Sequence, residues 1–273
     1  MQKDARSSVR ERAAPHRSEV NSLASRALAV LAARSPRSGE AAEPSLLALL
    51  ETAAFEQDRG RRLKVLDDLQ GRGVSDESIV DLYIPALARR LGEDWCDDRR
   101  SFAEVSIAVA RLQSMLHDIA VDWAQERPGA ADALEVLIVV RDQEYHTLGA
   151  LIAATQFRRA GAETRIALGV TDSEILAEAL YSRVDIVAIS ASSGENLDSV
   201  ARLVEKLKQR EDAPVVAVGG SALMSCDDLA ARVGADIATC DPREALRLCE
   251  LTRSKDDRTK AGGRKPPQSA SAP

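Results

Sequence analysis

The residue best placed for chemistry in this sequence is His146, which stands two residues after Glu144 and shortly after an apolar run at 134–140. Such a run predicts a buried parallel strand, and the loop after a parallel strand is where doubly wound domains hold ligands. One ring nitrogen of a histidine can ligate a metal while the other donates to a carboxylate. Gly149 lets a bulky group approach the backbone. The pattern predicts His146 as a metal ligand supported by Glu144; the alternative is a surface histidine without a ligand.

Two more loops on the same predicted edge carry small polar residues and glycines. Ser190 and Ser192 follow the third predicted strand, and Gly219 and Gly220 follow the fourth. Glycine and serine also close ordinary strand–helix connections, which is the alternative interpretation. The common phosphate-binding glycine patterns do not occur at these positions, and the third strand ends in Ile189-Ser190 instead of the aspartate of a two-component receiver domain. The convergence of three loops predicts one ligand site at this edge.

The elements that position these loops are predicted from the spacing of apolar residues. From residue 133 onward, apolar strands alternate with amphipathic helices, which is typical of a parallel sheet. Five strands and five helices predict a flavodoxin-like α/β domain at 133–253. The predicted strands are Leu134–Val140, Glu163–Leu168, Ile186–Ser190, Val215–Val218 and Ile237–Thr239. The predicted helices are Leu148–Arg159, Asp172–Ser182, Leu197–Lys208, Ser225–Val233 and Arg243–Leu251.

The chain ahead of this domain has the apolar spacing of helices. The pattern predicts an all-α helical bundle of four or five helices at 44–126. Polar and serine-bearing ends predict a disordered or partly helical extension at 1–43 and a disordered tail at 254–273. The predicted helices of the bundle are Leu46–Phe55, Arg61–Leu69, Ser75–Leu91 and Phe102–Trp123.

Composition narrows the classes of function. A formal net charge of −6 argues against direct binding of nucleic acid, which needs clustered Lys and Arg, so any effect on DNA is expected to pass through another protein. Aromatic residues make up 3% of the chain, which suits aliphatic cores of helices and α/β sheets. The four cysteines have no metal-binding spacing and predict reduced thiols. With no signal peptide or membrane-spanning run, the pattern indicates a cytoplasmic protein without a membrane partner.

The order Glu-x-His-x-x-Gly, Ser-x-Ser and Gly-Gly, in an α/β domain behind a helical bundle, resembles the cobalamin-binding domain with its helical cap. The family pattern is Asp-x-His-x-x-Gly, Ser-x-Leu and Gly-Gly, so Glu144 replaces the aspartate and Ser192 replaces the leucine. The resemblance implies that His146 is the lower axial ligand of cobalt and that Glu144 and Ser190 steady its imidazole. It also implies that three glycines make room for the buried nucleotide tail of the cofactor, namely Gly149, Gly219 and Gly220.

The bundle extends the resemblance through Trp95. The run Leu91–Trp95, followed by a long helix, is similar to the cap segment whose tryptophan covers the upper face of the corrin ring. Light-sensing members carry a Glu-His pair at a fixed interval after that tryptophan, and Val105-Ser106 stand there in this sequence. The resemblance therefore implies an upper face without a second histidine, open to water, hydroxide or an alkyl ligand. Simple core packing is the alternative role of Trp95.

Within this superfamily the acidic chain, its Glu-x-His motif and the lack of an attached DNA-binding domain resemble the AerR/PpaA group of photosynthesis regulators from purple bacteria, over about residues 45–253. The resemblance implies an antirepressor, not an enzyme. Its expected cofactor is hydroxo- or adenosylcobalamin, its input is light or redox state, and its partner is a DNA-binding repressor of photosynthesis genes.

Two other functions fit the same pattern. A corrinoid carrier that shuttles methyl groups for a methyltransferase has the same layout of bundle and sheet. A haem-based redox sensor is the other alternative, because a neutral imidazole suits iron as well as cobalt.

Overall fold

The computed structural model describes residues 41–126, 133–142, 144, 146–182, 184–192, 196–210 and 212–262. Residues 1–40 of the predicted extension and 263–273 of the predicted tail lie outside the described residues. A helical part is followed by an α/β part built on one sheet. The helices of the first part are α1 (Pro44–Phe55), α2 (Arg59–Gly71), α3 (Asp76–Ser78), α4 (Ile84–Cys96) and α5 (Phe102–Glu126).

The turns between these helices form where the sequence offers capping groups. Asp58 precedes α2, and its side chain accepts from the backbone N–H of Arg61 at 2.8 Å. Ser75 does the same ahead of α3, accepting from Ser78 at 3.2 Å. Between them Gly73 has a φ of +87°, a left-handed conformation that ends α2 at low steric cost. These caps set the helix boundaries near those that the sequence predicts.

The predicted continuous helix Ser75–Leu91 is interrupted by a π-helical turn at Ile79–Tyr83, which joins α3 to α4. The backbone N–H of Ile84 bonds to the carbonyl of Ile79, five residues back. The cause is Pro85, which has no N–H and whose ring would clash with the carbonyl four residues earlier in a regular helix. The wider turn removes that clash and carries Asp81 within it.

The sheet has five parallel strands in the order β2-β1-β3-β4-β5. This is the flavodoxin-like order, with the topological switch between β1 and β3. The register aligns Val140 with Ser190 and Ser190 with Gly219, so β3 and β4 end in one row at the carboxyl edge and β1 ends one residue beyond it. The strands are β1 (Glu135–Arg141), β2 (Glu163–Val170), β3 (Ile186–Ser190), β4 (Val215–Gly219) and β5 (Ile237–Ala238).

Helices cover both faces of the sheet. Those of the α/β part are α6 (Leu148–Arg159), α7 (Asp172–Tyr181), α8 (Leu197–Lys208), α9 (Ala222–Ser225), α10 (Leu229–Val233) and α11 (Pro242–Gly262). Helices α6 and α11 share one apolar core with the sheet, and α7, α8 and α10 share another on the opposite face. Helix α6 has a second contact, because its Leu148 and Ile152 belong to the core of the helical part. The helical part therefore packs on the sheet domain through α6.

Two predicted elements differ from the structure. The predicted helix Ser225–Val233 is split into α9 and α10, because Cys226 is extended and Asp228 caps a new helix through the N–H of Ala231. The disordered tail predicted from Ser254 is wrong up to Gly262, since α11 continues to that residue. Residues 254–261 contain neither Pro nor Gly, so nothing in that segment breaks a helix.

The fold also bears on membranes. Among the described residues, no helix combines the length and the apolar character that crossing a bilayer requires.

Candidate cofactor-binding site

The loop after β1 presents His146 at the carboxyl edge of the sheet. One carboxylate oxygen, Oε1 of Glu144, accepts the backbone N–H of His146 at 2.8 Å and also contacts the ring nitrogen Nδ1. The Glu144 side chain is 5% exposed, whereas that of His146 is 55% exposed. The imidazole is thus fixed by a buried carboxylate on one side and is open on the other.

The protonation of Glu144 determines the tautomer of the histidine. Burial alone raises the pKa of the Glu144 carboxyl, but hydrogen bonds from His146 and Ser192 and the charge of His146 outweigh burial and hold that pKa at about 2. An ionised carboxylate can only accept hydrogen bonds, so Nδ1 of His146 must carry the proton. With Nδ1 as the donor to Glu144, Nε2 is the ring nitrogen that can offer a lone pair to a metal.

Ser192 therefore has a role that the sequence did not assign to it. The resemblance implied that Ser190 steadies the imidazole, whereas in the structure the hydroxyl beside the Glu144 carboxylate is that of Ser192. Ser190 ends β3 and lines the cavity below the loop. A leucine at position 192, as in the family pattern, could not bond to Glu144, so the serine and the glutamate form a matched pair.

The Gly-Gly loop after β4 is shaped by close backbone contacts. A Cβ at Gly219 would lie 2.8 Å from the carbonyl oxygen of Thr239. Gly220 has a φ of +102°, and a Cβ there would lie 2.5 Å from the carbonyl oxygen of Ala191. Both glycines are thus needed for the packing of the rim itself. Gly149 differs, because a Cβ there would meet no atom within 4 Å.

A cavity of about 250 Å³ lies between the carboxyl edge of the sheet and the helical part. All eight residues predicted for the site line it, which brings together positions from four separate segments of the chain. They are Trp95, Glu144, His146, Gly149, Ser190, Ser192, Gly219 and Gly220. The structure therefore brings the sequence motifs together at one cavity, and their role in binding a cofactor stays a prediction.

The cavity continues inward along one face of the sheet. Ile138, Ala188 and Ala217 are aligned in one cross-strand row, two residues below the rim, and all three line the cavity. Two residues of strand span about 7 Å, so the channel reaches well beneath His146. Facing it, α6 contributes Ala153 and α11 contributes Ala245. Small side chains on both walls keep the channel open.

Helices α4 and α5 form the wall opposite the rim. Trp95 lies near the end of α4, and its ring centroid is 5.5 Å from that of Phe102 at the start of α5. Trp95 also packs against the core of the helical part, so its packing role is observed. It lines the cavity as well, and its contact with a corrin stays a prediction. Val105 lines the cavity at the position where light-sensing members carry glutamate.

Sequence reasoning missed one polar contact in this wall. Gln113 of α5 donates through Nε2 to the hydroxyl of Thr147 at 2.9 Å, and both residues line the cavity. Gln113 shares a helix face with Val105 and Val109, because these positions are four residues apart. The spacing alone could have placed Gln113 on this face, but its partner became identifiable only from the folded chain.

The donor chemistry of the site fits a metal held in a macrocycle. A single imidazole supplies one axial ligand, which suffices when a macrocycle already provides the equatorial nitrogens. The open space at Gly149 and the channel below it offer room for an appended group. His146 would hold the metal, and Glu144 would orient the ring.

This chain is similar to known proteins. The profile of the B12 binding domain matches residues 134–248. A 20.5 kDa protein from the bchF–crtJ intergenic region of Rhodobacter capsulatus is 34% identical over 178 residues, which cover 65% of this chain and 93% of that protein. The chain belongs to the B12-binding domain family. Its B12-binding domain contains all five strands described above and the three rim loops.

A solved structure shares the overall fold of this chain. The monomethylamine corrinoid protein of Methanosarcina barkeri superimposes with a TM-score of 0.61 at 14% identity, over 76% of this chain and 98% of that chain. At this identity the likeness concerns the fold alone. The predicted fold class, a flavodoxin-like sheet preceded by helices, is confirmed.

Proposed function

We propose that this protein is a cobalamin-binding, light- or redox-responsive regulator that acts as an antirepressor on a DNA-binding repressor of photosynthesis genes. The observation that carries the cofactor assignment is the position of His146, whose side chain is 55% exposed while its Nδ1 is held by a buried, ionised glutamate. Bound cobalamin would supply a coloured metal centre with an exchangeable or photolabile upper ligand.

Different residues of the site would have different roles in holding the cofactor. His146 would hold the metal through a ring nitrogen, and Glu144 and Ser192 would keep the ring in the required tautomer and orientation. The channel under the rim, lined by Ala153, Ala188, Ala217 and Ala245 among others, would accommodate the nucleotide tail. Trp95, Val105 and Val109 form an apolar wall of the cavity, which would favour a small or alkyl ligand on the metal over a second protein ligand.

The regulatory part of the proposal is supported by the relative from the bchF–crtJ region, since that position is consistent with a photosynthesis gene cluster. The net charge of −6 supports action through a protein partner instead of direct contact with DNA. The repressor would respond to the position of the helical cap, residues 44–126, relative to the B12-binding domain. A cofactor can shift that position only if it binds the two arrangements unequally.

The ligand assignment is tested with hydroxocobalamin. We expect the full chain to give the visible spectrum of a histidine-ligated cobalamin, and His146→Ala to lose that spectrum together with at least about tenfold in affinity. His117→Ala is the matched control, because His117 is exposed on α5. An identical spectrum in His146→Ala and the unaltered protein would refute ligation by His146.

The regulatory role is tested by measuring DNA binding by a candidate repressor with and without the loaded protein. We expect loaded protein to weaken the repressor–DNA complex and His146→Ala protein to have less effect. If repressor–DNA affinity is the same in all cases, the antirepressor role is wrong while cobalamin binding still stands.

A corrinoid methyl carrier is the second candidate, because the shared fold with the monomethylamine corrinoid protein fits it. Transfer of a methyl group from the loaded protein to a thiol acceptor, in the presence of a methyltransferase, would decide for the carrier. A haem sensor would instead give a Soret band in protein isolated without added cobalamin.

A further inference from the structure

We propose that the hydrogen bond between Gln113 and Thr147 is the contact through which ligand attachment at His146 reaches the helical cap, with Gln113 as the positioning residue on the cap side. Gln113 donates to the Thr147 hydroxyl at 2.9 Å, and Thr147 directly follows His146. This inference rests on the proposed function, since it assigns regulation to the same site.

The first step is the coupling of the imidazole to its own backbone. Oε1 of Glu144 accepts hydrogen bonds from the backbone N–H of His146 and from its ring nitrogen Nδ1. Because one atom holds the ring and the main chain together, a displacement of the ring is passed to the backbone at residue 146. Thr147 is the next residue and moves with it.

The second step concerns the hydroxyl of Thr147. A threonine that precedes a helix commonly accepts a bond from an amide in the first turn of that helix. Within the described part of the chain, the Thr147 hydroxyl makes no such bond to α6 and accepts from Gln113 instead. The hydroxyl thus connects the histidine loop to the cap and not to its own helix.

The third step compares this bond with the other contacts between cap and sheet domain. Leu148 and Ile152 of α6 pack in the cap core, but apolar contacts are non-directional and tolerate small displacements. Asp81 of the cap bonds to Gln156 and Arg159 toward the far end of α6, about 14 and 18 Å along the helix from Thr147. A hydrogen bond weakens steeply with distance and angle. Among the described contacts, Gln113–Thr147 is thus the directional one nearest His146.

The fourth step is the size of the cavity. Its volume of about 250 Å³ is below the range of roughly 300–1,000 Å³ for pockets of small ligands, and a corrinoid is larger than such ligands. Loading therefore requires the cap to move away from the rim. Gln113 and Thr147 line this cavity from its two sides, so their bond spans the gap that must widen.

The test is hydrogen–deuterium exchange of the full chain, unloaded and loaded with hydroxocobalamin. In the unaltered protein, loading is expected to change the exchange of α5 amides around residue 113. In Gln113→Leu and Thr147→Val, the change per loaded molecule is expected to shrink by roughly 3- to 10-fold, the range that corresponds to one ordinary hydrogen bond. The visible spectrum, recorded in parallel, reports the loaded fraction.

Three variants act as controls. Gln156→Leu removes a similar amide bond from the other end of α6 and is expected to leave the response around residue 113 unchanged. Thr147→Ser keeps a hydroxyl and is expected to restore the response. The double variant of Gln113 and Thr147 is expected to match either single one, because both remove the same bond.

The outcomes separate this inference from the proposed function. A full response in Gln113→Leu, additive effects of the two substitutions, or failure of Thr147→Ser to restore the response would overturn the inference. If the unaltered protein takes up no cobalamin, the proposed function fails, yet the bond is still tested in unloaded protein. There, either substitution should speed exchange of the α5 amides by roughly 3- to 10-fold, and unchanged exchange would overturn the inference.

Discussion

At the scale of single residues, the site depends on a carboxylate that stays ionised in a buried position. Glu144 is 8% exposed, yet its pKa is held at about 2 because His146 and Ser192 donate to it. The ordinary value for this carboxyl is 4.5. The hydrogen bonds to the ionised Glu144 carboxylate therefore stabilise the folded protein at neutral pH. The one from His146 also orients the imidazole.

This pKa predicts an acid-dependent loss of stability. Because the folded-state pKa lies below the unfolded-state value, the unfolded chain binds more protons in acid, and the stabilisation is complete above about pH 4.5 and lost as pH falls toward about 2. It amounts to at most on the order of 3 kcal/mol. Glu144→Gln should remove this part of the pH dependence of the unfolding free energy, measured in urea between pH 2 and 6. Superimposable pH profiles of the two proteins would contradict this.

Substitution by alanine at two glycines of the site is expected to have opposite effects on stability. Gly149→Ala should stabilise the unloaded protein by up to about 0.5–1 kcal/mol, because its Cβ meets open space inside a helix. It should also weaken cobalamin binding, since that space belongs to the cavity. Gly220→Ala should destabilise by roughly 1–3 kcal/mol or more, because of its left-handed φ and the Ala191 carbonyl. Urea unfolding of the unloaded proteins measures both changes in the free energy of unfolding. Equal changes for Gly149→Ala and Gly220→Ala would contradict this prediction.

The chemistry-bearing residues of the site could be predicted from the sequence because their types are uncommon together. A histidine, an acid and a Gly-Gly pair at the ends of predicted strands seldom coincide unless they bind a ligand. Gln113, Thr147 and the alanines of the channel could not be predicted in the same way. Glutamine, threonine and alanine occur everywhere, and their roles depend on which helix faces which strand.

At the scale of elements, helix α6 contributes to the cores of both the cap and the sheet domain. Its Ala150, Ala154 and Phe157 pack on the sheet, while Leu148 and Ile152 pack in the cap. At its far end Arg159 bonds to both carboxylate oxygens of Asp81 at 2.7 Å and lies over the ring of Trp123. We refer to Asp81, Gln156 and Arg159 as the clasp.

The clasp predicts a measurable loss of stability. Asp81→Ala leaves the donors of Gln156 and Arg159 without their carboxylate partner and should cost roughly 1–3 kcal/mol. Asp198→Ala is the matched control, because its pair with Arg232 is exposed on both sides and should change stability by less than about 1 kcal/mol. Urea unfolding at neutral pH measures both variants, and equal losses would show that the clasp is no stronger than a surface pair.

The alternation of elements was predictable, but their local irregularities were not. Short apolar strands and amphipathic helices have different patterns of apolar residues, so the succession of β1 to β5 and most boundaries follow from the sequence. The π-helical turn at Ile79–Tyr83 keeps the apolar spacing of a helix and is invisible to that pattern. The extension of α11 to Gly262 was missed because a polar segment resembles a disordered tail.

At the scale of the whole molecule, the shared helix predicts cooperative unfolding. Because α6 contributes to both cores, the cap and the sheet domain should unfold in one transition. Tryptophan fluorescence reports the cap, which contains both tryptophans, and circular dichroism reports the whole chain. The two probes should give the same urea midpoint, and Ile152→Ala should lower it for both, at a cost of roughly 2–5 kcal/mol. Two separated midpoints would show that the cap unfolds on its own.

The double membership of α6 also determines where this protein can be recombined. A chimera joined at 127–132 would combine the cap of one parent with the sheet domain of another. The α6 of the second parent would then pack against a cap of different sequence. Crossing over after Arg159 would keep the histidine loop, α6 and the cap surfaces from one parent. That second junction, however, would separate β1 from its neighbours β2 and β3. Hybrids should therefore fold well only when the cap and the sheet domain are exchanged together as one unit.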